Sequence, residues 1–307
     1  MIYWLNKIDD KDLNEVGFKA LNLSKVFSTA LNVPIGFVVP SSVYRSFIEK
    51  LKLDDVVDRI DVNDPEKLKF NARKIQLLIM RSQLNNEDIV DAYDTLSADN
   101  LSKKVKPFVS LRLSPSTADE SVTSLLDASF HNIKGSVDVV EHVKACYASV
   151  FTAKNIYYLK KNNYDWRSIS LPLIIQLTVD AVASGVAYCK NPSTDADEIV
   201  VEAVFGLGKG LELVSPDVYV VDKESNDIKE INVGEKTVSF VRDKVSGKTI
   251  SKSLSGDRVS SQVLDDKFID EIARIAKRVE KVFLSPQRVE WAFDGKKFFV
   301  LGSFGMK

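Results

Sequence analysis

Glycine, histidine and cysteine are all scarce: the 307 residues include 13 glycines, two histidines and two cysteines. The glycine content is about 4%, against roughly 7% in ordinary globular chains. Cys146 and Cys189 are isolated, with no C-x-x-C spacing, so neither a disulfide framework nor a zinc knuckle is indicated. His131 and His142 make no metal cluster, and nothing in the sequence resembles a Ser/His/Asp triad or a cysteine nucleophile. Neither sign of charge dominates, since 42 basic residues face 43 acidic ones. That balance gives no bulk reason to bind nucleic acid or an anionic membrane. The opening MIYWLNKIDDKD lacks a basic region followed by an apolar run, so it does not read as a signal peptide. The longest apolar stretch, Leu171 to Cys189, is broken by Pro172, Gln176 and Asp180 and makes a poor membrane span. With 45% of residues hydrophobic, disorder is excluded. A soluble, cytoplasmic protein of one large domain or two lobes is expected.

Apolar residues recur at helical spacing at Val16, Ala20, Leu23, Phe27 and Ala30, predicting a helix over about residues 16–32 that Pro34 ends. Residues 36–39 read as a short buried strand. Ser41 or Ser42 can cap the next helix, whose apolar face is Tyr44, Phe47, Ile48 and Leu51. Asn63-Asp64-Pro65 starts another helix, running to about Ser82, and Asn86 opens a further one. The texture changes at Pro107: a strand over 108–113, a polar loop over 114–124, then a helix capped by Ser136 with Val140, Val143 and Val150 inside. Strand-like runs follow at 171–179, 184–189, 198–204, 217–222, 227–233 and 236–242, with 222–252 polar and peripheral. An amphipathic helix then carries Phe268, Ile269, Ile272, Ile275, Val279 and Val282. The chain closes in a hairpin over 288–293 and 297–301, turned at Asp294-Gly295. This order predicts an α+β protein, mostly helical over 1–106 and built of mixed sheet and helices over 107–307, the two parts forming one unit.

A few residues stand out as chemistry. Gly206-Leu207-Gly208-Lys209-Gly210 is the one glycine cluster, placed directly after a predicted strand. Glycines allow backbone N–H groups to approach an anion, but such a run is also an ordinary tight turn. Lys19, in Gly17-Phe18-Lys19, sits where it could reach a phosphate or simply face solvent. Arg112 lies inside the apolar strand of Val109, Leu111 and Leu113, where an unpaired guanidinium is costly. It either pairs with an internal carboxylate or faces a cleft that binds an anion. Glu290, between Val289 and Trp291, is either a magnesium ligand or the partner of an arginine. Glu202 raises the same question.

Taken in order, these fragments resemble the nucleotide-binding domain of the phosphoenolpyruvate synthase and pyruvate phosphate dikinase family, here standing by itself. The family's G-x-K and P-x-G-F-V-V correspond to Gly17-Phe18-Lys19 and Pro34-Ile35-Gly36-Phe37-Val38-Val39. Its V-R-S-S-A strand corresponds to Leu111-Arg112-Leu113-Ser114, and its D-A-S-F to Asp127-Ala128-Ser129-Phe130. The C-x-A-S-L-F helix is similar to the run from Cys146 to Phe151, V-Q-x-M-V to Ile175–Val179, and S-G-V-x-F-T-x-x-P to Ser184–Pro192. The most specific block, E-A-x-x-G-L-G then T-P-D-x-Y-V-V-D-K, reads here as Glu202–Gly208 and Ser215–Lys223, and D-I-E-W-A appears as Arg288-Val289-Glu290-Trp291-Ala292. The resemblance implies an ATP-grasp-type fold of two lobes with ATP and Mg2+ in the cleft between them. It further implies that Lys19 and Arg112 hold the phosphates as the catalytic cations and that Glu290 binds the metal. Gln176 then borders the adenine, Glu202 lies towards the ribose, and Gly206 and Gly208 line the nucleotide. The implied activity is phosphoryl transfer from Mg-ATP to a histidine of a separate swivelling domain or to a small molecule, with no nucleic-acid or membrane partner. The alternative is a nucleotide-binding or protein-interaction relative without turnover.

The sequence departs from the family in definite places. The glycine-containing A-G-Q-x-E-T loop is missing, because Phe130 runs through His131 into Asn132-Ile133-Lys134-Gly135. The terminal L-Q-x-R-P is replaced by Leu301-Gly302-Ser303-Phe304-Gly305, which removes the glutamine expected to share the metal with Glu290. Phe18 replaces a glycine, Lys209 an acidic residue and Leu113 a serine. With neither a phosphohistidine context nor the family's swivelling domain and barrel in the sequence, the chain is not expected to complete a dikinase cycle alone.

Overall fold

The computed structural model describes residues 1–99, 106–116, 125–126 and 128–306. Most of the polar loop 114–124, and Asp127 of the D-A-S-F match, lie outside the described residues. Helices and antiparallel sheets make an α+β protein of two compact units. One comprises Met1–Leu21 and Ile35–Thr178, the other Asn22–Pro34 and Val179–Lys307. The change of texture at Pro107 therefore lies inside the first unit.

The first unit is a five-stranded antiparallel sheet backed by helices. Its strands are β1 (Tyr3–Trp4), β2 (Gly36–Val39), β3 (Phe108–Leu113), β4 (Ser129–Lys134) and β5 (Leu173–Leu177), in the order β1-β2-β5-β3-β4. Alternation along each strand aims Phe37, Val39, Val109, Leu111, Leu113, Leu173 and Ile175 at one face. There they join a buried cluster with Ile75 and Ile79 of the helix Pro65–Arg81 and Val143, Cys146 and Tyr147 of the helix Ser136–Ser149. Asp64 caps the helix Pro65–Arg81 as its sequence predicts, accepting from the Lys67 N–H at 3.1 Å. The two serine caps are corrected. Pro40 and Gly135 hold the capping positions, and the Ser41 hydroxyl donates instead to the Asn14 carbonyl at 3.0 Å. The first long helix, Leu13–Phe27, stops short of residue 32. Ser28 and Thr29 hydroxyls take up carbonyls of its last turn, at 2.7 Å each, and Ala30 turns left-handed at φ 59°.

The second unit holds a six-stranded antiparallel sheet in the order β13-β12-β6-β7-β8-β9. Its strands are β6 (Ala183–Tyr188), β7 (Glu198–Phe205), β8 (Asp217–Asp222), β9 (Ile228–Asn232), β12 (Gln287–Phe293) and β13 (Phe298–Gly305). A separate hairpin pairs β10 (Val238–Arg242) with β11 (Thr249–Ser253). The helix Asp266–Phe283 buries Ile269, Ile272, Ala273, Ala276 and Val279 against one face of the sheet, where Ala187, Val201, Tyr219, Val289 and Trp291 are also buried. Two alanines, rather than Ile275, form the close contact stripe; Ile275 is only half-buried. The predicted hairpin turn is present, with the Asp294 carboxylate accepting from the N–H groups of Lys296 and Lys297.

The polar segment 222–252 is not wholly peripheral. Lys236 is fully buried, and its ammonium pairs with the equally buried Asp217. That carboxylate also accepts from the Gly234 N–H (3.0 Å), the Val263 N–H (2.7 Å) and the Tyr219 hydroxyl (2.9 Å). A charge pair survives burial only when its remaining lone pairs are satisfied in this way. Removing the lysine leaves a buried, uncompensated carboxylate. Lys236→Ala is therefore expected to cost about 3–5 kcal/mol, measured by urea unfolding, whereas the exposed Lys252→Ala should leave the midpoint in place.

Candidate functional site

The sequence-predicted residues fall into two clusters, one in each unit. In the first unit the organising contact is between Gly17 and Ser114. Gly17 breaks the helical geometry with φ 75° and ψ 167°, a region open almost only to glycine. A Cβ on it would lie 1.5 Å from the Ser114 carbonyl oxygen. The fully buried Ser114 locks the approach: its hydroxyl donates to the Val16 carbonyl at 2.8 Å and accepts from the Ala20 N–H at 3.0 Å. The Phe18 N–H reaches the Pro115 carbonyl at 3.3 Å. The segment carrying Lys19 is thus laid against the end of β3, two residues beyond Arg112.

Arg112 and Gln176 are brought together directly. The Arg112 guanidinium donates to the Gln176 Oε1 at 2.6 Å, and Gln176 is 1% exposed. The register explains the contact: Ser110 stands opposite Gln176 and Arg112 opposite Ile174, so Arg112 and Gln176 are diagonal neighbours on the face away from the helical core. Neither alternative for Arg112, an internal carboxylate or an open cleft, had this neutral amide in view. The same face continues as a polar row that the sequence did not disclose. The Ser110 hydroxyl bonds with that of Thr178 at 2.8 Å, and His131 Nδ1 lies 3.1 Å from the Ser110 hydroxyl. His131 is on β4. Its sequence, SFHNIK, has no clean alternation because the pairing with β3 shifts between Val109 and Leu111.

In the second unit Glu202, Tyr188, Arg288 and Glu290 share the face of the sheet turned away from the helix Asp266–Phe283. Glu290 stands opposite Val186, Val186 opposite Glu202, and Arg288 opposite Tyr188. The Arg288 guanidinium lies 3.3 Å from Glu290 Oε1, which realises the arginine-partner alternative for Glu290. The Tyr188 hydroxyl donates to Glu202 Oε2 at 3.5 Å. Burial pushes the Glu202 carboxyl above its ordinary range, and the Tyr188 bond and the Arg288 charge offset this only in part. Gly302 faces Glu290 across the hairpin, where a Cβ would sit 3.0 Å from Glu290 Oε2.

The glycine cluster is a turn in which three amides have backbone acceptors. The Gly206 N–H donates to the Val182 carbonyl, that of Leu207 to Phe240, and that of Gly210 to Leu207. Gly206, at φ 76°, lets the backbone pass the Phe240 carbonyl, 2.2 Å from where a Cβ would be. Burial pushes both cysteine thiols up to about 12, so neither supplies a thiolate. His142 Nδ1 is bonded to the Asp138 carbonyl of its own helix at 2.7 Å. No helix of the described residues is long and apolar enough to cross a membrane.

The structure is thus an α+β protein in which one sheet fixes Arg112 beside a buried glutamine, with the segment that carries Lys19 pinned to the same strand. Comparison with known proteins narrows the class: over residues 13–303 the chain belongs to the family described as "Pyruvate phosphate dikinase, AMP/ATP-binding domain". It is 33% identical to a probable phosphoenolpyruvate synthase of Methanocaldococcus jannaschii, covering 98% of this chain and 26% of that protein. Identity is 32% to a probable phosphoenolpyruvate synthase of Archaeoglobus fulgidus, over 98% of this chain and 41% of the relative. It is 28% to a phosphoenolpyruvate synthase of Pyrococcus furiosus, over 97% and 43%. The chain thus spans less than half the length of these curated relatives.

The geometry gives two expected outcomes. Gly17→Ala is expected to lower stability by at least about 1–3 kcal/mol from backbone strain alone, measured by urea unfolding. Gly208→Ala, whose Cβ would meet nothing nearer than 3.8 Å, should be nearly neutral. Because the Glu202 carboxyl titrates higher when folded, the protein binds more protons folded than unfolded, and stability falls as pH rises through that folded value. Glu202→Gln removes the penalty. Its melting temperature should exceed the parent's at about pH 7, and the gain should shrink as pH falls to the ordinary carboxylate range.

Proposed function

We propose that the chain binds ATP in an ATP-grasp-type fold, with Lys19 and Arg112 on the phosphates and Gln176 beside the adenine. The observation that carries this reading is the Arg112–Gln176 bond at 2.6 Å, on a strand to which the Gly17–Lys19 segment is pinned. A phosphate-binding cation and a base-binding amide are thereby held rigidly with respect to one another. Cations fixed in advance are what phosphoryl groups require, since phosphoryl transfer draws little covalent help from a protein. In the second unit Glu202 is assigned to the ribose end. Gly206 contributes shape rather than an amide donor, given its carbonyl partner, and Gly208 is assigned to the nucleotide beside it.

The resemblance adds an activity, phosphoryl transfer to a histidine on a separate swivelling domain or to a small-molecule acceptor. Magnesium is the weakest part of it. Mg2+ asks for near-octahedral oxygen ligation at roughly 2.0–2.1 Å, yet Glu290 is engaged by Arg288 and the position facing it, Gly302, has no side chain. Among the described residues no three His, Cys, Asp or Glu side chains converge. The residues present do not fit the ion, and this favours the second reading: a protein that keeps the nucleotide and has lost turnover.

Millimolar ATP is expected to raise the melting temperature, and Lys19→Ala or Arg112→Ala to abolish the rise; no shift in the parent protein would sink the binding claim. Turnover is read with ATP labelled separately in its β and γ phosphates, with candidate acceptors present. AMP formation supports dikinase-type chemistry and ADP a simple kinase or ATPase, while intact ATP with binding preserved supports the non-catalytic reading.

A further inference from the structure

The carboxylate face of the second sheet carries its own cation. Arg288 is held from several sides at once. Its guanidinium lies 3.3 Å from Glu290 Oε1 and 5.4 Å from the ring centre of Phe304, on a residue that stands opposite Tyr188 in register. Glu202 feels its charge as well. The guanidinium therefore stands between two carboxylates whose strands are separated only by β6. At about 4.8 Å per strand, the backbones of Glu202 and Glu290 lie about 10 Å apart, near enough for one cationic side chain to serve both carboxylates. Gly302 offers Glu290 no second oxygen. An ion approaching Glu290 would meet the like charge of this guanidinium well within the Debye length.

We propose that Arg288 takes the place of a divalent ion on this face, so that the protein binds its nucleotide in the metal-free form. The ligand class rests on the nucleotide-binding reading above; the occupation of the carboxylate face by Arg288 does not. A guanidinium keeps donors for phosphate oxygens while leaning on a carboxylate, so it can supply the neutralising charge without a coordination shell.

The test uses the full chain and two measurements. In the first, Mn2+ is titrated without nucleotide and its free signal followed by electron paramagnetic resonance. The parent protein should show no site tighter than about millimolar. Arg288→Gln, which uncovers Glu290 and Glu202, should gain at least about tenfold in affinity, and Arg288→Lys should behave like the parent. A Mn2+ site in the parent that Glu290→Gln removes, or no gain in a folded Arg288→Gln, overturns the proposal. In the second, ATP binding is measured by calorimetry in EDTA and in excess Mg2+. Affinities within about twofold are expected for the parent; binding at least about tenfold weaker in EDTA overturns the proposal. Absence of ATP binding in both conditions would defeat the nucleotide reading, and the Mn2+ titration then decides the role of Arg288 by itself.

Discussion

The backbone of Gly17 lies so close to the carbonyl of Ser114 that no side chain fits between them, and the cluster of the first unit depends on that approach. A fully buried hydroxyl holds the two segments together with one hydrogen bond donated and one accepted, and each segment carries a cation close by in sequence, Lys19 on one and Arg112 on the other. An antiparallel register then sets Arg112 diagonally across from Gln176. Arg112 and Gln176 meet through that register, and the backbone that carries Lys19 is pinned to the end of the same strand because one residue lacks a Cβ and one serine lacks solvent. A chain poor in glycine has kept one where the backbone itself makes the contact.

In the second sheet one arginine lies among positions where the sequence departs from the family pattern. Relative to the family pattern, a terminal glutamine has become Gly302 and an arginine has become Phe304. A single residue meets both positions: Arg288 pairs with Glu290, which faces Gly302, and lies 5.4 Å from the ring centre of Phe304. Glycine at 302 and phenylalanine at 304 leave room and an aromatic surface for that guanidinium. The substitutions are thus mutually consistent, each making the arginine easier to hold. The buried Lys236–Asp217 pair, by contrast, has every oxygen of its carboxylate engaged by backbone and hydroxyl donors and ties the loops after β9 to β8.

Much of the fold was legible because its signals are local. Pro65 behind Asp64, the apolar stripe of the helix Asp266–Phe283, and the Asp294-Gly295 turn each act within a few residues. The illegible parts depend on partners far along the chain. The strand Ser129–Lys134 reads as polar coil until β3 pairs with it, and the strand Thr249–Ser253, nearly all exposed, is a strand only because β10 lies beside it. The pairing of Lys236 with Asp217 is of the same kind, since nothing near the lysine in sequence announces its partner.

Arg112, Glu202 and Glu290 could be picked out from sequence as charged residues in apolar strands, since burying an ionised group without a partner is too costly to be accidental. Periodicity, capping and composition likewise determined the α+β class, since they act through backbone geometry and solvent. Which partner each charge took was a matter of tertiary structure: an amide for Arg112, a phenol for Glu202 and a guanidinium for Glu290. The reason is physical. Strand register and sheet order, which bring distant residues within 4 Å, are set by long-range pairing and by the packing of whole faces, and no local pattern encodes them.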